Sequence, residues 1–236
     1  RYKLGSTARQ AMAPSLGTQA NNWSNQESAR RSGFDAEIVE LSNLRGDMQM
    51  KSIFKPIVPD ASIADLRMHW DANRVMFTTL MGENDKRWNV YEVKLDGTGC
   101  KKLIENEEPD LEFYDGTYLP DGRIIANSNI GYQGVPCVSG DDPVGNMVLY
   151  TPEQKNLRRL TFDQDANWNP VVMNNGRVMY TRWEYTDLTH YYSRIVMHMN
   201  PDGTENKALY GSGSMFPNST FDIQPLPGHG SAFVGI

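Results

Sequence analysis

Pro120-Asp121-Gly122-Arg123, running directly into Ile124-Ile125-Ala126, joins a turn, a basic residue and an apolar stretch. The Asp-Gly pair matters because both residues tolerate positive φ, which the tight turn of a β-hairpin demands. The pattern returns at Asp71-Ala72-Asn73-Arg74 before Val75-Met76-Phe77 and at Asn174-Asn175-Gly176-Arg177 before Val178-Met179-Tyr180. A fourth copy is Pro227-Gly228-His229-Gly230 before Ala232-Phe233-Val234. Each copy predicts a hairpin turn that feeds a buried strand.

A second element alternates with the first: a strand, a polar turn and a strand that ends on an apolar anchor. Its copies run Ile38–Ile53, Val90–Leu103, Met147–Leu160 and Ile195–Leu209, with turns such as Asp96-Gly97-Thr98-Gly99 and Asn200-Pro201-Asp202-Gly203-Thr204. The anchors Ile53, Leu103, Leu160 and Leu209 are 50, 57 and 49 positions apart. A four-stranded propeller blade repeats at roughly 40 to 50 residues. No helix-length window sustains a 3.6-residue apolar period, which excludes an α/β fold.

The predicted fold class is therefore all-β: a partial β-propeller of four-stranded antiparallel blades. Three blades are expected at 65–104, 112–161 and 167–210, with an outer half-blade before them (Asp35 to Phe54) and half a blade after them from Thr220. Residues 1–30 are expected to be irregular or a poorly patterned first hairpin, and 31–236 to be the propeller. Closed propellers need about four to eight blades to remove their open edges. The sequence starts at Arg1 without Met and stops in the apolar run Phe233-Val234-Gly235-Ile236. It reads as part of a longer protein.

Five Trp, eleven Tyr and a charged fraction of 22% point to a folded chain rather than a disordered one. A net charge of -6, with no basic run interleaved with aromatics, argues against a nucleic-acid partner. No stretch approaches the roughly 18 to 20 apolar residues of a membrane span. Cys100 and Cys137 make neither a disulfide framework nor a zinc knuckle, and no Cys-x-x-Cys-His haem-attachment motif is present. A bridge between the two cysteines stays open, and the sequence names no cofactor.

Leu157-Arg158-Arg159-Leu160-Thr161 and Met199-Asn200-Pro201-Asp202-Gly203-Thr204 resemble the TolB-type WD40-like repeat. Gly176 to Asp187, His190-Tyr191-Tyr192-Ser193-Arg194 and Pro225-Leu226-Pro227-Gly228-His229 resemble the propeller-type middle domain of the hydrazine synthase alpha-subunit family. The likeness covers about residues 34–236 and is most specific over 165–236. It implies a propeller fold, a bacterial origin and flanking domains or subunits in a larger, exported protein, periplasmic or extracellular. Haem-bearing domains flank the propeller in that family and hold its redox chemistry. With no haem motif here, the resemblance carries no reaction over to this chain.

In a propeller, the loops from second to third strand share one face with the connections between blades, and that face commonly binds ligands. Here two such loops are long, Ser128 to Asn146 and Arg182 to Ser193, while the turns on the opposite face are short. The candidate ligand-binding residues are Arg182, Trp183, Glu184, Tyr185, Asp187, His190 and Tyr191 from the second loop, Tyr132 and Gln133 from the first, and Trp168. Arginine, carboxylates and histidine offer charge and proton transfer, and the aromatics offer stacking on a sugar or planar group. The alternative is structural: aromatics packed between blades and Arg182 paired with Glu184 or Asp187. Asp163, Asp165, Trp168 and Asn169 sit at an inter-blade loop and the entry to an innermost strand. Such residues cap loops by bonding backbone N–H groups or, alternatively, line a channel ligand or cation site. Asp141 and Asp142 form an ordinary turn or a calcium site. His69, His190, His198 and His229 lack metal-ligand spacing.

Two functions fit: a non-catalytic scaffold or ligand-binding module, or an active-site propeller of a lyase or hydrolase acting on carbohydrate. A third, the propeller part of a multihaem hydrazine-synthase-like enzyme, rests on resemblance alone. The fold does not choose between them.

Overall fold

A computed structural model describes residues 31, 33–82, 85, 87–135, 140, 143–184, 193–213, 216–217 and 219–236. The hairpin turns close as their sequences require. Backbone N–H groups of His69, Leu119, Met173 and Leu226 donate to the carbonyls of Arg74, Arg123, Arg177 and Ala232. In three of these turns the Asp or Asn side chain accepts the N–H two residues on. The distances are 2.9 Å from Asn73 to Asp71, 3.1 Å from Arg123 to Asp121 and 3.1 Å from Arg177 to Asn175.

Those turns sit inside three four-stranded antiparallel sheets. The first comprises β3 (Ile63–Met68), β4 (Arg74–Thr79), β5 (Asn89–Lys94) and β6 (Lys101–Lys102). The second comprises β7 (Phe113–Tyr118), β8 (Ile124–Ser128), β9 (Asn146–Thr151) and β10 (Asn156–Arg159), with a 3-10 turn at Pro152–Gln154. The third comprises β11 (Asn167–Val172), β12 (Val178–Trp183), β13 (Arg194–Met199) and β14 (Lys207–Tyr210). Two-stranded sheets flank them: β1 (Ile38–Ser42) with β2 (Gln49–Phe54), and β15 (Gln224–Pro225) with β16 (Phe233–Val234). The described residues contain no α-helix. Three blades plus two halves is the predicted all-β architecture, with each blade's strands within a few residues of the expected bounds.

The middle strands are buried on both faces because each blade lies between two others. Met76 and Val90 of the first blade pack with Phe113, Ile124 and Val148 of the second. Ile125 and Leu149, alternating with these, turn the other way onto Val178 and Met197 of the third. On the far side of the first blade, Val75, Phe77 and Val93 meet Ile38, Ile53 and Phe54. Period-two alternation thus builds every inter-blade layer.

The innermost strands carry a feature that the hairpin pattern does not announce. Each has a β-bulge, shifting register between Ala64 and Arg67, Tyr114 and Thr117, and Trp168 and Val171. The bulged residues Asp65, Asp115 and Asn169 take φ of 57°, 51° and 56°. The Asp115 N–H donates to Asp65 Oδ2 at 2.9 Å, and the Asn169 N–H donates to Asp115 Oδ2. Arg67 reaches across from the first blade, donating to Asn169 Oδ1 and lying 3.7 Å from Asp115 Oδ1. The bulges therefore chain one blade to the next. Asn169 was expected to cap a loop by accepting a backbone N–H; instead its side chain accepts from Arg67.

Cys100 is a free, exposed thiol, and Cys137 lies outside the described residues. No helix among the described residues is long and apolar enough to cross a membrane.

Candidate site on the loop-rich face

The ends of second strands, the starts of third strands and the connections between blades converge on one face. Between the second and third blades that convergence places Gln133, Asn146, Arg159, Asp163, Arg182 and Glu184 in one polar network. Arg182 closes β12 and is held between two carboxylates, 3.2 Å from Asp163 and 3.2 Å from Glu184. Asp163 also accepts from Asn167 Nδ2 at 3.1 Å. It is thus an ion-pair partner rather than a cap for backbone N–H groups. The backbone carbonyl of Asp163 accepts from Asn146 Nδ2 at 3.3 Å, which carries the network onto the second blade.

There Asn146 Oδ1 accepts from Arg159 Nη2 at 2.7 Å, and Gln133 Oε1 accepts from the same nitrogen at 3.3 Å. Arg159 Nε donates to the carbonyl of Thr161 at 2.8 Å, and its guanidinium lies 4.8 Å from the centre of the Phe162 ring. Burial pulls the Arg159 pKa below the usual arginine range. Phe162 and Tyr132 are 72% and 65% exposed, so this face presents aromatic surface to solvent. Gly131 packs onto the cradle: a Cβ there would meet Asn146 Oδ1 at 2.8 Å and Arg159 Nη2 at 3.1 Å.

The tryptophans fare differently. Trp168 and Trp183 are each 0% exposed and pack with Val135, Val144 and Ala166. They present no ring face to a ligand, because the strand alternation that buries each blade face points them inward. Buried Arg194 lies 4.6 Å over the Trp168 ring and 4.5 Å over Phe221. Of the other candidates, Tyr185, Asp187, His190 and Tyr191 lie outside the described residues, as do Asp141 and Asp142.

Sequence reasoning missed Asn146, Arg159 and Phe162. Arg159 is the basic residue just before the blade anchor Leu160, in a pattern shared by Lys102 before Leu103. That repetition marks a position, but only the loop geometry shows what the position faces. His69 lies edge-on to Tyr118 at 4.6 Å, and His198 Nδ1 accepts from Arg177 Nε at 2.9 Å. Among the described residues no group of three or more His, Cys, Asp or Glu is placed to hold a metal ion.

No family model matches this sequence, and no curated protein matches it. Solved structures do. Hydrazine synthase from Kuenenia stuttgartiensis superposes with a TM-score of 0.56 at 11% identity, covering 73% of this chain and 28% of that one. A TolB-type protein from Agrobacterium tumefaciens gives 0.50 at 15% identity, covering 74% of this chain and 60% of that one. This chain thus spans less than two thirds of the length of either. The likeness is structural, and in fold this chain is a TolB-like β-propeller resembling that of hydrazine synthase.

Proposed function

We propose that the chain is a propeller scaffold and ligand-binding module of a larger bacterial, exported protein, and that it binds through its loop-rich face. The observation that supports this reading is the asymmetry between the two faces. One carries long loops, a continuous polar network from Gln133 to Glu184 and two exposed aromatic rings. The other carries short turns, and in two of them the polar side chains close the turn itself, Asp96 and Asp202 accepting from Thr98 and Thr204. Rigid blades hold the loops in place, so a site there is organised before the ligand arrives. A place in a larger protein accords with a chain that spans 28% and 60% of the two compared structures.

The test is a thermal-shift screen of small ligands, sugars included, run on the native chain and on two variants. Glu184→Gln releases one carboxylate from Arg182 on the loop-rich face, and Asp121→Asn alters the opposite face. A ligand that stabilises the native chain is expected to lose its effect in Glu184→Gln and keep it in Asp121→Asn. Equal effects in both variants, or no stabilising ligand at all, would sink the reading.

A further inference from the structure

Arg159 differs in its company from the other half-buried arginines of the three blades. Arg74, Arg87, Arg123, Arg177 and Arg182 each lie within ion-pair distance of a carboxylate. Arg159 forms no ion pair among the described residues; its partners are the carbonyl of Thr161, the amide oxygens of Asn146 and Gln133, and the ring of Phe162. The direct acceptors are neutral, and the Asp163 carboxylate acts on the guanidinium only through space because its ion pair is with Arg182. The guanidinium stays protonated at any physiological pH. Its Nε and Nη2 are engaged, while Nη1 makes no hydrogen bond among the described residues. The bare backbone of Gly131 against the cradle leaves the arginine little room to swing away.

One fixed positive charge with an open Nη1 is a site for an anion, and a carboxylate oxygen there accepts a charge-assisted hydrogen bond. The surroundings narrow the class further. The Arg159 guanidinium covers one side of the Phe162 ring, and the ring's 72% exposure leaves its other side open, with Tyr132 exposed on the same loop as Gln133. Open aromatic faces beside amide groups suit the apolar face and hydroxyls of a sugar ring.

We propose that Arg159 is the anion anchor of the loop-rich face and that its ligand is an acidic sugar, the carboxylate of a uronic acid on Nη1 and the sugar ring against Phe162. This rests on the reading of the loop-rich face as the binding face, and it adds the substrate class. A single bulk ion gains only the charge contact; a uronate gains the charge and the ring together.

Isothermal titration of the 236-residue chain with a uronic-acid oligosaccharide and its neutral counterpart tests the assignment. The acidic sugar is expected to bind at least about tenfold more tightly than the neutral one, the worth of one charge-assisted bond. Arg159→Gln should erase that preference, and Phe162→Ala should weaken both sugars several-fold. Arg158→Ala, one residue away but turned toward the backbone of Asp202, should change neither. Thermal melts confirm that each variant is folded, and Arg159→Lys, which keeps the charge and loses the planar group that the cradle holds in place, should retain a reduced preference. Equal affinity for acidic and neutral sugars, or a preference that survives Arg159→Gln, overturns the anchor while leaving the binding face standing. Binding of neither sugar overturns the acidic-sugar class, and if the screen with Glu184→Gln also finds no ligand, the face itself falls with it.

Discussion

Asp65 shows how much a single bulged residue is asked to do. Its carboxylate accepts the N–H of Asp115 in the next blade, and the Asp115 carboxylate accepts that of Asn169 in the blade after. The cost is two carboxylates close together near the propeller's inner strands. Burial first, and then the charge of Asp115, push Asp65 up to about 7, with Thr78 and Arg67 pulling the other way. Burial likewise raises Asp115, against the pull of Arg67. A raised acid binds more protons folded than unfolded between its two pKa values, so its contribution to stability falls as pH rises through that interval. For Asp65 the interval runs from the ordinary carboxyl value of 3.8 to about 7. Asp65→Asn keeps an oxygen for the Asp115 N–H and removes the charge. The variant is expected to match the native chain near pH 4 and to melt at a higher temperature by pH 8, read by thermal unfolding across the range. A gap that does not change with pH would show that Asp65 does not titrate in this interval.

At the scale of the hairpin, two glycines separate the price of backbone conformation from that of contact between blades. Gly122 and Gly97 both sit in the left-handed region, at φ of 89° and 87°. A Cβ on Gly122 would meet nothing within 4 Å, whereas one on Gly97 would stand 3.0 Å from the Ile53 carbonyl in the neighbouring β2. Gly122→Ala is expected to cost about 1 kcal/mol for the strained φ alone. Gly97→Ala should cost measurably more in urea unfolding, because it also pushes two blades apart. Equal losses would mean that β2 yields without strain.

The same elements show where sequence suffices and where it stops. Asp-Gly and Asn-Gly turns beside apolar runs announce β8 and β12, and Asp71-Ala72-Asn73 announces β4, because turn chemistry and burial are both local. The inner-strand bulges are not announced in this way. Asp65, Asp115 and Asn169 recur at matching places, but their flanks differ, and a bulge exists only in the pairing of two strands. At the candidate site, Arg182 with Glu184 was readable from adjacency. The Arg159 cradle was not, since it joins Gln133, Asn146 and Arg159 from three separate segments.

Across the whole molecule, the first blade's outer half is covered while the far part of its innermost strand, Leu66 and Met68, is exposed. Counting three residues on from each bulge puts Met68, Tyr118 and Val172 at equivalent places, yet Met68 is 56% exposed against 7% and 9%. Tyr118 and Val172 each rest on the blade before, while the layer with β1 and β2 takes in Val75, Phe77, Val93 and, half-buried, Ile63 at the start of β3, but not Met68. Leu66 and Trp70 are exposed alongside Met68. At the other end, a cleft of about 480 Å³ lined by Met179, Val196, Leu209 and Phe233 opens beside β16. No described strand pairs the outer edge of β16, and Val234 on it is exposed. Unpaired edges and contiguous apolar surface are what drive chains together. The 236-residue chain is therefore expected to self-associate reversibly as its concentration rises. Met68→Lys with Val234→Lys should suppress that association while shifting stability by less than about 0.5 kcal/mol, since both side chains already face solvent. Sedimentation velocity over a concentration series reads the first effect and chemical unfolding the second. A native chain that stays monomeric throughout, or a double variant that associates as strongly, would show that neither surface is adhesive.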